Sequence, residues 1–201
     1  MKKFIYGLTA LSALAFYSCD DASRLAKDIE GTWSGAPERF IDDTTGTSTI
    51  IESMTFAMDS TGKGGDMIIV GLVSSTGQIS GSTSIMQPIS VSAAAKAEIL
   101  GKWIAVDDDE INVNLDTRTL SVNVDPSGVV LTTNLLDGNT SASTEAIKPQ
   151  VAESIKLQIT NALQMRYASI KRIDDIKIKG NVMEYEIGHD KFTASRQGPN
   201  Q

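Results

Sequence analysis

Few residues in this 201-residue chain have the chemistry of a catalytic or metal centre. The single histidine, His189, stands between Gly188 and Asp190 in a string that reads as a turn. A catalytic His–Asp couple needs its carboxylate across space, orienting the ring, rather than next in the chain. Ser195 is close in sequence, but no Gly-x-Ser-x-Gly elbow presents a serine on a strained strand-to-helix turn. With one His and one Cys, the usual ligand sets for zinc, copper and haem cannot be assembled, so neither a metal nor a cofactor is expected. Asp107-Asp108-Asp109-Glu110 offers hard oxygen ligands, yet it lacks the glycine-spaced alternation of a calcium loop. It falls between two strands, where a solvated turn is expected, and Asp174-Asp175 reads the same way. Gly62-Lys63 leads into Gly64-Gly65 and a strand, whereas a phosphate-cradling loop needs Gly-Lys-Ser/Thr leading into a helix. Paired carboxylates for glycoside hydrolysis depend on a separation that only the fold sets, and nothing in the pattern favours them. The chain is therefore expected not to be an enzyme.

The chemistry that can be named belongs to Cys19. Lys2 and Lys3 form a basic start, the run from Phe4 to Phe16 is uncharged and largely apolar, and Ser18 precedes Cys19-Asp20-Asp21. That three-zone pattern describes a secretory signal peptide over 1–18, too short for a membrane span of about 20 apolar residues. A lone cysteine at the end of such a run resembles the lipobox of bacterial lipoproteins of the Bacteroidetes type. Ser18 fits, while Phe16 and Tyr17 are bulkier than is common there. The resemblance implies cleavage before Cys19, lipid on its thiol, and a place in the cell envelope on an outer-membrane, periplasmic or surface face. Two or three acyl chains, at about 0.8 kcal/mol per buried CH₂, anchor a protein stably. An intrachain disulfide is excluded by the cysteine count.

The net charge is −7, and losing Lys2 and Lys3 leaves 16 basic against 25 acidic residues, or −9. Such a surface does not suit the phosphate-neutralising contacts of nucleic-acid binding. The expected partners are the membrane, through lipid on Cys19, and a small apolar ligand; the sequence names no protein partner. Asp20-Asp21 reads either as a solvated tether or as the acidic sorting signal of such lipoproteins.

The elements that would position a site are mostly strands. Residues 23–29 fit a short helix with Leu25 and Ile29 on one face. Residues 19–28 form the tether and this helix, and 29–197 the folded domain. Residues 49–58 alternate as a half-buried strand, Asp59–Gly65 is a hairpin connection, and a strand over 66–73 ends at a turn, Ser74–Gly77. A weaker strand spans 78–91, broken near Pro88. The alanine-rich run 92–100 predicts a second short helix. Ile111–Leu115 and Leu120–Val124 alternate strictly and predict a hairpin, with a short strand at 129–133 and a polar loop at 137–144 beyond it. From Pro149, placed in the first turn, a helix to Ala168 carries a stripe of Val151, Ile155, Ile159, Ala162, Leu163 and Tyr167. Three strands close the chain, at 173–179, 182–187 and 191–196. Hairpin-joined short strands imply a mainly β fold, an antiparallel barrel or sandwich, with one amphipathic helix inserted before the last three strands.

Gly31-Thr32-Trp33, opening a strand after a short helix, is similar to the Gly-x-Trp signature of lipocalins and lipocalin-like bacterial proteins. The resemblance implies a barrel whose base is closed by Trp33, with a basic residue near the last strand packed across the ring. Arg196 is the matching residue. Gly101-Lys102-Trp103 repeats the string mid-chain and hints at two similar halves, 29–91 and 99–197; two small β units side by side are the other reading. A barrel interior lined by Phe56, Met183, Tyr185 and Phe192 would hold a small apolar or amphipathic ligand, if these side chains do not simply meet in a filled core. The competing function is a non-catalytic structural or interaction subunit of an envelope complex, using a sheet edge or the long helix.

Overall fold

The computed structural model describes residues 21–79, 88–132 and 140–198. Cys19 and the 1–18 segment lie outside the described residues, as do the middle of the 78–91 region and the start of the 137–144 loop. Helix α1 (21–29) leads into β1 (Gly31–Gly35), β2 (Glu38–Asp42), β3 (Gly46–Met58), β4 (Gly64–Ile79) and β5 (Ile89–Ala105). Then come β6 (Ile111–Leu115), β7 (Ser121–Val124), β8 (Val130–Thr132) and helix α2 (Thr140–Ser169). β9 (Arg172–Lys179), β10 (Val182–Ile187) and β11 (Asp190–Arg196) close the chain.

Eight strands form a closed antiparallel ring in the order β1-β11-β10-β9-β6-β5-β4-β3, with β3 returning to β1. Closure removes the sheet edges that would otherwise expose unpaired backbone groups. β3, β4 and β5 are far longer than their partners and run on past the ring as a three-stranded tongue. Along one side β1 and then β2 follow β3, pairing near its end and its start respectively. Along the other side β6, β7 and β8 follow β5 in turn, at Gly101–Ala105, Ala95–Glu98 and Ser90–Ser92. β9–β11 do not extend there. α2 takes their place, packing on β7 and the short turn after it on one flank and bonding to β2 and β3 on the other.

β6 and β7 are therefore not the hairpin their alternation suggested. A 3₁₀ turn at Thr117–Thr119, capped by Asp116, interrupts the strand without reversing it, so both pieces read the same partner. The alanine-rich run 92–100 is strand, not helix, with Ala93, Ala95, Ala97 and Ile99 all pointing into the core. Helix propensity is a weak prior that tertiary pairing overrides, and small side chains suit an inner wall facing bulky neighbours. The two Gly-x-Trp strings consequently sit in different settings, one opening a strand after a helix and the other near the end of a long strand. Ser74–Gly77 is also strand: Gly77 pairs with Gly46 because a Cβ on it would lie 2.6 Å from the Thr45 carbonyl oxygen. α2 begins at Thr140, leaving Pro149 inside it rather than in its first turn. There Pro removes one backbone donor.

One core joins the ring and the underside of α2. It includes Ile29, Trp33, Met67, Ile99, Ile111 and Ile173 from the ring end, and Ile159, Leu163 and Tyr167 from the helix. Among the described residues no helix is long and apolar enough to cross a membrane.

An amphipathic cavity beneath helix α2

At one end of the barrel Trp33 and Arg196 come together. Trp33 is fully buried and its indole N–H donates to the Ile29 carbonyl at 2.7 Å. The Arg196 guanidinium carbon lies 4.2 Å from the Trp33 ring centroid, and its nitrogens donate to the Glu30 and Asp28 carbonyls at 2.6 and 2.5 Å. Arg196 thus covers the indole and takes up carbonyls at the end of α1, where a cation is favoured by the helix dipole. Gly31, with φ of +117°, lets the chain turn beneath that guanidinium.

Trp103 packs elsewhere. Its ring meets Phe56 edge-on at 5.6 Å and its N–H donates to the Asp66 carbonyl at 3.1 Å. Gly101, two residues before it in β5, has the Asn114 carbonyl and Leu115 so close that a side chain would not fit. Phe56 and Met183 are buried in the core, and Tyr185 stacks on Phe192 at 5.5 Å. None of these four lines the cavity described next.

That cavity, of about 650 Å³, lies between the far end of the tongue and the N-terminal half of α2. Its volume falls within the range of about 300–1,000 Å³ typical of small-molecule sites. The inward positions of β3 and β4 turn small at this end. Gly46 pairs with Gly77 and Ser48 with Ser75, the two serine hydroxyls bonded to each other at 2.8 Å. Along this β3–β4 stretch no large side chain rises toward the helix, and the helix stands off the sheet there. Further along, Ile159, Leu163 and Tyr167 pack closely and the gap ends.

The walls differ in character. α2 presents two parallel lanes, each with a four-residue step. Ile147, Val151 and Ile155 form an aliphatic lane, and Gln150, Ser154 and Gln158 a polar one. Residues four apart lie on one helix face, so each lane is continuous. The sheet adds Ile41, Ile79, Ile89 and Val91 as apolar rim, with Thr45 as polar rim beside the Ser48–Ser75 floor. Among the described residues no charged side chain lines the cavity. On the opposite face of the same sheet end, Thr47 and Thr76 share a hydroxyl bond at 3.1 Å beside a shallower hollow of about 510 Å³.

The polar lane is held toward β2 and β3. Gln158 donates to Asp43 at 3.4 Å, and Asp43 accepts from the Thr45 hydroxyl at 2.6 Å and from two backbone N–H groups. Those bonds, the Thr45 hydroxyl foremost, hold the Asp43 carboxyl below its usual range. Two turns beyond Gln158, Arg166 binds Glu38 through two N–H donors at 2.8 and 2.7 Å and Glu52 at 2.9 and 3.3 Å. The Tyr167 hydroxyl donates to Glu52 at 2.8 Å. Burial works against the Arg166 charge, but the two carboxylates outweigh it and hold the guanidinium charged above its ordinary range. Burial, then Glu52, pushes the Tyr167 phenol up.

Elsewhere, His189 is exposed in the β10–β11 turn. Asp107 and Asp108 are exposed in the β5–β6 turn, with Asp175 nearby. Partial desolvation, then Asp108, Asp175 and Asp107, raises the Asp109 carboxyl. Among the described residues no group of three His, Cys, Asp or Glu side chains is placed to hold a metal ion. The cavity residues carry no chemical signature in sequence. The one available sign was the pairing of two small, hydroxyl-rich stretches, 44–49 and 74–77, with the Gln150-Ser154-Gln158 spacing.

Comparison with family models, with characterised proteins and with solved structures finds no match to this chain.

Proposed function

We propose that this protein is a cell-envelope lipoprotein of lipocalin-like architecture, anchored through lipid on Cys19, that binds a small amphipathic ligand under α2. The observation that carries the reading is the cavity, with an aliphatic lane on one side, hydroxyl and amide groups on the other, and an enclosing helix. The closed antiparallel barrel is compatible with such a role. The ligand would sit at the far end of the tongue rather than in the ring, whose inward side chains are packed. Cys19 is two residues before Asp21, the first described residue of α1, in sequence. From the ring-end pair Gly31–Phe56 to Gly46, β3 runs ten residues, about 33 Å at strand rise. The cavity would therefore open well away from an anchor beside α1.

Native mass spectrometry of protein extracted from its own envelope without denaturant tests the reading. A co-purifying small molecule, lost in Ser154→Trp, is expected. Ser154 is exposed and borders the cavity, so the indole would fill the space without entering the core. An empty native protein that also fails to take up a neutral dye such as Nile red would contradict it.

A second reading, an interaction subunit of an envelope complex, is supported by the outer face of the tongue. There Ile51 pairs with Leu72 and Ile68 with Leu100, all exposed. Contiguous exposed apolar surface of this kind marks contact sites. Cross-linking in the native envelope from a photoreactive residue at Leu72 is expected to capture a protein under this reading and none under the first.

A further inference from the structure

We propose that the cavity takes an uncharged, hydroxyl-bearing single-chain amphiphile and rejects the corresponding carboxylate and ammonium compounds. This deepens the ligand-binding reading above and rests on it. Three observations point the same way. First, every polar side chain on the walls is a hydroxyl or a carboxamide, groups that both donate and accept and so match a neutral hydroxyl headgroup. Second, among the described residues every charge near the cavity has a partner. Arg166, on the line of the polar lane, is held by Glu38 and Glu52, and Lys148 and Lys156 pair with Glu145 and Glu153. Asp43 at the edge is bound by Thr45 and Gln158. Third, the two lanes of α2 run side by side, so a ligand with one chain and one polar end can satisfy both at once. An ion entering this space would lose its hydration and meet no counter-charge, which is costly.

The test is isothermal titration of the mature chain with three probes that share one acyl group: 1-lauroylglycerol, laurate and lauroylcholine. Each is used below its micelle concentration, at a pH where laurate is ionised. The glycerol ester is expected to bind at least about tenfold more tightly than either ion. In Ser154→Lys, a cation is placed in the polar lane at an exposed helix position, and laurate affinity is expected to rise at least about tenfold over the parent. A melting temperature equal to the parent's checks that this variant is folded. Laurate or lauroylcholine binding the parent as well as the ester overturns the ligand class while leaving the cavity a ligand site. No gain for laurate in folded Ser154→Lys overturns the argument from missing charge. Failure of all three probes to bind the parent overturns the ligand-binding reading itself.

Discussion

Replacing Arg166 by Met should cost far more than breaking an ordinary surface ion pair. The guanidinium makes four N–H···O contacts of 2.7–3.3 Å to two carboxylates. Its side chain is 21% exposed, Glu52 19% and Glu38 36%, so the cluster is neither free in solvent nor sealed. Exposed pairs contribute about 0–1 kcal/mol, whereas removing one partner of a fully buried pair costs about 3–5 kcal/mol. Partial solvation places this cluster between them, at about 2–3 kcal/mol. With a urea slope of about 2 kcal/mol/M, the unfolding midpoint should fall by about 1–1.5 M. The main cause would be two carboxylates left side by side, one still accepting from Tyr167. Adding Glu38→Gln and Glu52→Gln to Arg166→Met should therefore recover at least half the loss. Urea unfolding followed by circular dichroism reads both numbers. A single variant within 0.5 kcal/mol of the parent, or a triple variant no more stable than the single one, would refute the reasoning.

Other outcomes follow from the same geometry. Gly71→Ala should destabilise by about 1–3 kcal/mol, because its Cβ would lie 2.6 Å from Ile50 Cδ1; adding Ile50→Val should recover part of the loss in the same urea experiment. Arg196→Ala should cost about 2 kcal/mol by removing the cover of Trp33 and two bonds to the end of α1. Hydrogen exchange should then accelerate over residues 22–32 more than in the tongue. Asp109 has its folded carboxyl raised, first by desolvation and then by Asp108, Asp175 and Asp107. Its charge therefore disfavours the fold above that raised value, and the penalty disappears as pH falls through it. Asp109→Asn should raise the melting temperature by about 1–2 °C at neutral pH, a gain that vanishes in acid. Globomycin should cause an unprocessed precursor to accumulate if Cys19 is the lipidated residue, and normal processing in its presence would remove the anchor from the account.

Much of the closed end could be read from residue types. The last three strands were legible because Gly180 and Gly188, at φ of +62° and +67°, turn between alternating runs. The stripe of α2 was legible because Val151, Ile159, Leu163 and Tyr167 share one buried face. The tongue was legible in part: the strands over 49–58 and 66–73 showed in their alternation and are strands. Ser74–Gly77 and the run 92–100 were not, because Ser, Gly and Ala by local preference suit turn or helix, and only long-range pairing among β3, β4 and β5 makes them strand. The β6–β7 interruption misled for a related reason, since an Asp-capped turn looks alike whether the chain reverses or continues. The cavity was hidden for the deepest reason. It is a space left by small side chains on two strands, Ser48–Ser75 and Gly46–Gly77 lying 27 and 31 residues apart in sequence and adjacent only through register.

The ligand site is tested most directly by mapping where an amphiphile lands. A neutral lauroylglycerol analogue carrying a diazirine on its chain, photolysed with the mature protein, should label peptides from 147–158 and from 41–48. Labelling should fall in Ser154→Trp and under competition by unmodified lauroylglycerol. Label concentrated instead on the ring interior, at Phe56 or Met183, or spread without saturation over the outer face of the tongue, would contradict a ligand site beneath α2.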